Sequence, residues 1–118
     1  MDNKLDVKYR AFYLSLKVIG FLEGLDKKIC LKVIADQLIR SITSIGANIV
    51  EAKSSSSKRE FVNYFQISLK SANETKYWLA LLKEVYKDPK IDLFVRETDE
   101  LSRIIGSSIL TMKGKKSF

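Results

Sequence analysis

Residues 57–86 read SKREFVNYFQISLKSANETKYWLALLKEVY, and this stretch decides the fold. Its apolar positions recur at the spacings of one helix face, and they are Phe61, Phe65, Leu69, Ala72, Leu79 and Leu82. Ser57 and Glu60 fit a capping box at the start of that helix. Asp88-Pro89 ends it, because the residue before a proline is pushed out of helical geometry. The stretch therefore predicts a helix over about residues 58–87, ~43 Å long at 1.5 Å per residue.

Three more segments carry the same period and predict helices over about residues 4–24, 28–52 and 92–112, followed by a basic tail at 113–118. The predicted buried stripes are Leu5, Tyr9, Phe12, Leu16, Ile19 and Leu22; Ile34, Leu38, Ile42, Ile45 and Ile49; and Phe94, Leu101, Ile104 or Ile105, Ile109 and Met112. Long helices with short links can bury such stripes only side by side. The prediction is all-α: an up-down-up-down antiparallel four-helix bundle, with residues 1–118 as a single domain.

The composition excludes several classes of function. The chain has 118 residues and no histidine, which excludes His-based nucleophile systems and His-based zinc sites. No cofactor, metal ion or catalytic residue is predicted. The lone Cys30 is predicted to be a small packed or surface residue, in agreement with a reducing compartment. No apolar run reaches the ~18–20 residues that cross a bilayer, and the charged N-terminus does not resemble a secretory signal, so we expect a cytoplasmic protein without a membrane partner.

The apolar stripes are wide, with aromatic residues such as Tyr13, Phe21, Tyr64, Tyr77 and Trp78 beside the main seams. A monomer of this size is expected to leave an aromatic patch exposed, and such patches mark interfaces. We therefore expect the chain to form a homo-oligomer.

Small and polar residues interrupt the second helix at Ser41, Ser44 and Gly46. Small side chains let a neighbouring helix approach closely, and the equally lean run of Ser68, Ser71 and Ala72 is the predicted partner. Gly46 costs ~1 kcal/mol of helix propensity relative to alanine, which close packing or a bend would recover.

Three polar side chains of the same region have two readings. Asn48 could bond a loosened backbone carbonyl, and Glu51 or Glu74 could pair with Arg40 across the bundle. In the other reading, Asn48, Glu51 and Glu74 simply face water.

The same region resembles a bacterial four-helix-bundle family whose members are often encoded within intervening sequences of large-subunit ribosomal RNA genes. Its hallmark is a Gln-x-x-Arg helix that runs into a Ser-Ile-x-Asn-Ile-x-Glu-like motif, a Ser/Lys-rich link, and a Phe-containing helix with Ser and Glu three apart. In this chain the matching positions are Gln37, Arg40, Ser44, Ile45, Asn48, Ile49, Glu51, Phe61, Ser71 and Glu74. The resemblance spans about residues 10–112. It departs at Gly46, where the family usually has proline, and at Ala52, where the family has glycine.

The family is similar to the accessory protein of diversity-generating retroelements, a basic homopentameric barrel that works with a reverse transcriptase and nucleic acid. The resemblance therefore implies a pentamer and an RNA or DNA partner. It implies no reaction.

Charge supports an anionic partner, since 21 basic and 14 acidic residues give a net charge of +7. The bundle topology collects nine basic residues at one end against Asp2, Asp6, Glu51 and Glu60. This basic pole consists of Lys4, Lys8, Arg10, Lys53, Lys58, Arg59, Lys113, Lys115 and Lys116. The opposite end balances five basic residues with five acidic ones. Free amides at the start of the third helix favour phosphate, and Tyr9 would either stack on bases or pack in the core.

Three functions remain open from the sequence. The first is a non-enzymatic oligomer that binds RNA or DNA through phosphate contacts at the basic pole. The alternative is a protein–protein scaffold or interaction module without nucleic-acid binding. The third is a magnesium-dependent hydrolase, for which Glu51 and Glu74 are the only support.

Overall fold

Four antiparallel helices form the structure, a computed structural model that describes residues 6–26 and 28–114. They are α1 (Val7–Glu23), α2 (Ile29–Lys53), α3 (Lys58–Val85) and α4 (Pro89–Gly114). Each helix packs along the next, and α1 also packs against α4, so the four close into a bundle. The predicted all-α four-helix bundle is confirmed. None of the helices in the described ranges combines the length and apolar character needed to cross a membrane.

Side-chain contacts at both ends establish the antiparallel order. Lys53 at the end of α2 lies 3.8 Å from the carboxylate of Asp6, which precedes α1. At the other end, Lys83 near the end of α3 pairs with Asp92 in the first turn of α4 at 2.8 Å. At each end of the bundle, the end of one helix therefore lies beside the start of a neighbouring helix.

Local capping fixes where the helices begin. The Oγ of Ser57 accepts a hydrogen bond from the Glu60 amide at 3.1 Å, as a capping box requires. The Glu60 carboxylate in turn accepts from the Ser56 amide at 3.0 Å, one residue before the position expected. α4 begins at Pro89 rather than near residue 92, because proline suits the first position of a helix and Asp88 accepts from the Lys90 amide at 2.9 Å.

The core runs the length of the bundle, and most of the apolar positions predicted on α2, α3 and α4 are buried. Its buried apolar members are Ala11, Leu14, Val18, Leu22, Ala35, Leu38, Ile42, Ile45, Ile49, Ala52, Val62, Phe65, Ala72, Leu79, Leu82, Ile91, Phe94, Leu101, Ile105 and Ile109.

The buried face of α1 is not the one predicted. Tyr9, Phe12 and Leu16, which the sequence placed in the core, are 48%, 56% and 51% exposed. The face that packs inward is Ala11, Leu14, Val18 and Leu22, and of these only Leu22 belonged to the predicted stripe. The reason is steric: α1 approaches α2 at Gly46, where a Cβ would lie only 3.4 Å from the Cβ of Ala11, so a small residue of α1 must face inward there. Leu5 lies outside the described residues.

Candidate nucleic-acid interface

The basic pole forms where four helix ends meet. The Asp6–Lys53 contact brings together the start of α1 and the end of α2. Lys113 near the end of α4 lines one groove with Lys58 and Arg59 from the first turn of α3. Four predicted cations, Lys53, Lys58, Arg59 and Lys113, thus lie at one end of the bundle. Lys4, Lys115 and Lys116 lie outside the described residues.

Two other members of the predicted set are engaged within the fold. The side chain of Arg10 is 9% exposed, and its guanidinium donates to Glu97 at 3.0 and 3.2 Å and also to Glu100, both on α4. Burial tends to lower the pKa of Arg10, but the hydrogen bonds to Glu100 and Glu97 outweigh it and raise the pKa above its ordinary value. Arg10 therefore joins α1 to α4. The ammonium of Lys8 lies 5.0 Å from the centre of the Tyr9 ring, a cation–π distance.

An open groove lies between the start of α3 and the end of α4, at the basic pole. Its lining residues are Ser57, Lys58, Arg59, Glu60, Val62, Asn63, Gln66 and Lys113. The dipole of α3 places its positive end here, which favours anions. Glu60 reduces that positive potential, although its carboxylate is directed back to the Ser56 amide.

Within the described part of the chain, Arg59 and Lys113 make no ion pair, in contrast to most arginines of the bundle. Arg10, Arg40 and Arg103 are each held by a carboxylate. A phosphate could therefore approach Arg59 and Lys113 without displacing an existing partner.

The motif residues Arg40 and Glu74 form the predicted ion pair across the α2–α3 interface. Gln37 accepts two hydrogen bonds from the Arg40 guanidinium at 3.0 and 3.1 Å, and the Trp78 indole donates to Glu74 at 3.0 Å. Glu51 is exposed and lies eleven residues further along α2, about 16 Å at the rise of an α-helix. The structure thus separates the two carboxylates that a shared magnesium site would need.

The small residues of the motif form a seam of hydroxyl groups between α2 and α3. Thr75 donates to Ser41 at 2.9 Å, Ser71 donates to Ser44 at 2.8 Å, and Ser68 donates to the Ile45 carbonyl at 2.9 Å. Asn48 donates to the Ser44 carbonyl at 2.9 Å, as one of its two readings expected. The serine-rich stretches therefore hold α2 to α3, as predicted.

Gly46 has a different neighbour from the one the sequence suggested. It faces Ala11 on α1 and not the serines of α3.

Sequence reasoning expected an exposed aromatic patch, but it did not place two features of the surface. One is an apolar face on α1 formed by Tyr9, Phe12, Tyr13 and Leu16, all of them half exposed. Their spacing of three, one and three was visible, but it was assigned in part to the core. The other is the amide pair Asn63 and Gln66 in the groove, which carried no charge signal.

Comparison with known proteins agrees with this architecture. Residues 3–107 match the model of a family described as 23S rRNA-intervening sequence proteins. The chain belongs to this family. Among solved structures, it is similar to a protein of unknown function from the S23 ribosomal protein family of Bacteroides thetaiotaomicron, with 29% identity and a TM-score of 0.79. That likeness covers 88% of this chain and 98% of the other. No curated protein matches the chain. Neither the family description nor the crystal structure names a reaction.

Proposed function

We propose that this family member is a non-enzymatic oligomer that binds RNA or DNA through its basic pole. The observation that carries the proposal is the pair Arg59 and Lys113, which come from different helices, line one groove and have no carboxylate partner in the described part of the chain. Cations in that situation can neutralise phosphates without first breaking an ion pair. Contacts to phosphate give affinity but carry little sequence information.

Electrostatics predicts how such binding would behave. Each neutralised phosphate releases condensed counterions, so the logarithm of the binding constant falls linearly with the logarithm of the salt concentration. The slope is about −0.7 per phosphate contact for a single strand and about −0.9 for a duplex. Removal of one phosphate-contacting cation should therefore weaken binding and also flatten the slope.

The opposite end of the bundle offers a matched control for a charge-reversal test. Its exposed lysines Lys28, Lys87 and Lys90 lie far along the helix axes from the pole and make no side-chain ion pair in the described residues. We expect K53E/K58E/R59E to lower affinity for labelled RNA at low salt by more than tenfold, with K28E/K87E/K90E changing it little. The two triple variants have the same net charge. Equal loss in both would assign the effect to overall charge and overturn the basic-pole proposal.

RNA from the intervening sequence of a 23S rRNA gene is the first probe to use, since the family is described by that sequence. Light scattering on the same sample gives the mass of the particle that binds. A pentamer is the expectation from family resemblance, and the apolar face of α1 (Tyr9, Phe12, Tyr13, Leu16) supports self-association through a second copy of the chain.

The same apolar face favours the second candidate function, a protein–protein interaction module without nucleic-acid binding. The two functions separate in one experiment. An oligomer that binds neither RNA nor DNA at low salt would support the interaction module. Binding to nucleic acid that weakens steeply with salt would support the basic pole.

A further inference from the structure

The groove at the basic pole is lined by cations and also by polar groups of the kind that pair with base edges. Asn63 and Gln66 lie on α3, four and seven residues after Arg59, so all three share one helix face. On the other side of the groove is Lys113 from α4. Val62 contributes an apolar side chain that is 9% exposed.

Neither side-chain amide is bonded to another part of the described chain. In the described part of the chain, Asn63 and Gln66 make no hydrogen bond, whereas Asn48 and Gln37 are both bonded to residues of their own helix α2. A side-chain amide presents a donor and an acceptor side by side, and this pattern matches the edge of a nucleic-acid base.

The shape of the site decides which form of nucleic acid fits. The base edges of a duplex lie at the floor of a groove, so a protein must insert a protruding element to read them. Here the amides line a concave surface between two helix ends. A concave site instead receives a base that is unpaired and turned out of its stack, as in single strands and loops.

We infer that this groove binds an unpaired nucleotide, with Arg59 and Lys113 on the phosphates and Asn63 and Gln66 on the base edge. The inference rests on the proposed function and deepens it, because it names single-stranded nucleic acid as the preferred ligand. The contacts to base and phosphate are shared by RNA and DNA.

The test compares short labelled single strands, RNA and DNA of one sequence, with duplexes of that sequence. We expect the wild-type protein to bind a single strand more tightly than the duplex at equal salt. N63A/Q66A should weaken single-strand binding by about tenfold, which lies within the range given for one bidentate amide–base pair. Its salt slope should not change because no charge is removed, and duplex binding should also remain the same.

Asn73→Ala is the matched control, since Asn73 is exposed on the same helix but lies outside the groove. Far-ultraviolet circular dichroism checks that each variant is folded, and N63A alone serves if the double variant is not. Equal wild-type affinity for single strand and duplex would overturn the inference, as would unchanged single-strand binding in N63A/Q66A. The basic-pole proposal would survive either result if K53E/K58E/R59E still abolished binding. Absence of any binding by the wild-type protein would overturn both.

Discussion

Gly46 of α2 lies directly against Ala11 of α1: a Cβ at position 46 would be 3.4 Å from the Cβ of Ala11 and 3.9 Å from its carbonyl carbon. This contact brings the two helices together through two small residues. It also turns Phe12, the neighbour of Ala11, toward the surface. A small residue at position 46 of α2 therefore lets α1 pack with its Ala11 face inward.

Substitution of Gly46 should show a sharp dependence on side-chain size. Gly46→Ala places its methyl group at an ordinary contact distance and gains up to about 1 kcal/mol of helix propensity, so we expect a neutral or stabilised protein. Gly46→Leu must push α1 away from α2 and should lower the free energy of unfolding by roughly 1–3 kcal/mol. Urea denaturation measures both. The control is Gly20→Leu, because a Cβ at Gly20 meets nothing within 4 Å. Similar losses at both positions would refute the close-packing explanation.

The hydroxyl pair Thr75 and Ser41 should be energetically coupled. The Thr75 hydroxyl lies within hydrogen-bond distance of Ser41 Oγ (2.9 Å) and of the Ser71 carbonyl (2.8 Å), and the Thr75 and Ser41 side chains are fully buried. We expect Thr75→Val to cost about 1 kcal/mol of unfolding free energy and the double variant with Ser41→Ala to cost less than the sum of the single changes. Thr43→Val, at an exposed site with a similar backbone hydrogen bond, should cost much less. Strict additivity of the two buried changes would count against the coupling.

Arg10 should stabilise the fold without binding nucleic acid. Its guanidinium is held by Glu97 and Glu100, and Arg10→Met leaves two neighbouring carboxylates without their cation. Both carboxylates are partly exposed and can be hydrated, so we expect a loss of roughly 1–2 kcal/mol in thermal or urea unfolding. RNA affinity should stay at the wild-type level. Arg96→Met, an exposed arginine of α4 without an ion pair in the described residues, is the control for the change in charge. If the binding constant of R10M depended less steeply on salt concentration than that of the wild type, Arg10 would be a contact to nucleic acid after all.

The apolar face of α1 should carry self-association. Phe12 and Leu16 are one turn apart and more than half exposed, so F12S/L16S removes apolar surface without opening the core. We expect the particle mass measured by light scattering to fall toward that of a single chain. Val33 and Val85 are exposed to a similar degree on other helices, and V33S/V85S should leave the mass unchanged. An unchanged mass in F12S/L16S would exclude this face as the contact between copies.

Low pH should reduce the contribution of Asp99 to the free energy of unfolding. Hydrogen bonds from Arg103 and then Lys76 hold the pKa of Asp99 below its ordinary value of 3.8. As the pH falls through that ordinary value, Asp99 binds a proton in the unfolded chain while it stays ionised in the folded chain. Proton binding therefore stabilises the unfolded state relative to the folded state. The contribution of Asp99 is therefore complete above the ordinary pKa and is lost as the pH falls through the lowered one. Asp99→Asn should be less stable than wild type near neutral pH.

The difference between wild type and D99N should shrink as the pH is lowered from about 5 to about 2. Urea denaturation across that range measures it, and Arg103→Met should act in the same direction because it removes the main cause of the lowered pKa. A difference that stays constant with pH would contradict the assignment.

The predictability of the fold differed between helices. On α2, residues such as Leu38, Ile42 and Ile45 form a single apolar stripe, so the periodicity left one choice of buried face and the structure agrees. α1 carries two stripes with helical spacing, one through Tyr9, Phe12 and Leu16 and one through Ala11, Leu14 and Val18. Hydrophobicity favours the first stripe. Close packing selects the second.

The candidate site was predictable to the extent that it depends on topology and charge. Lys53, Lys58, Arg59 and Lys113 meet at one end because helix order and helix length bring them there. The partner of Arg10 was not predictable, since Glu97 lies 87 residues away in the chain and only the packing of α1 on α4 brings it near. In the sequence, Asn63 and Gln66 look like ordinary surface residues, and only the structure shows the groove that they share with Lys113.

The sequence by itself determined the number of helices, the cap at Ser57, the break at Asp88-Pro89 and the antiparallel order, because these follow from local hydrogen bonding, periodicity and the length of the links. Only the tertiary structure decided which face of α1 is buried, which carboxylates neutralise Arg10 and which polar groups share a groove. Those outcomes depend on the shape of the neighbouring helix at each contact, as the close approach of Ala11 to Gly46 shows for α1.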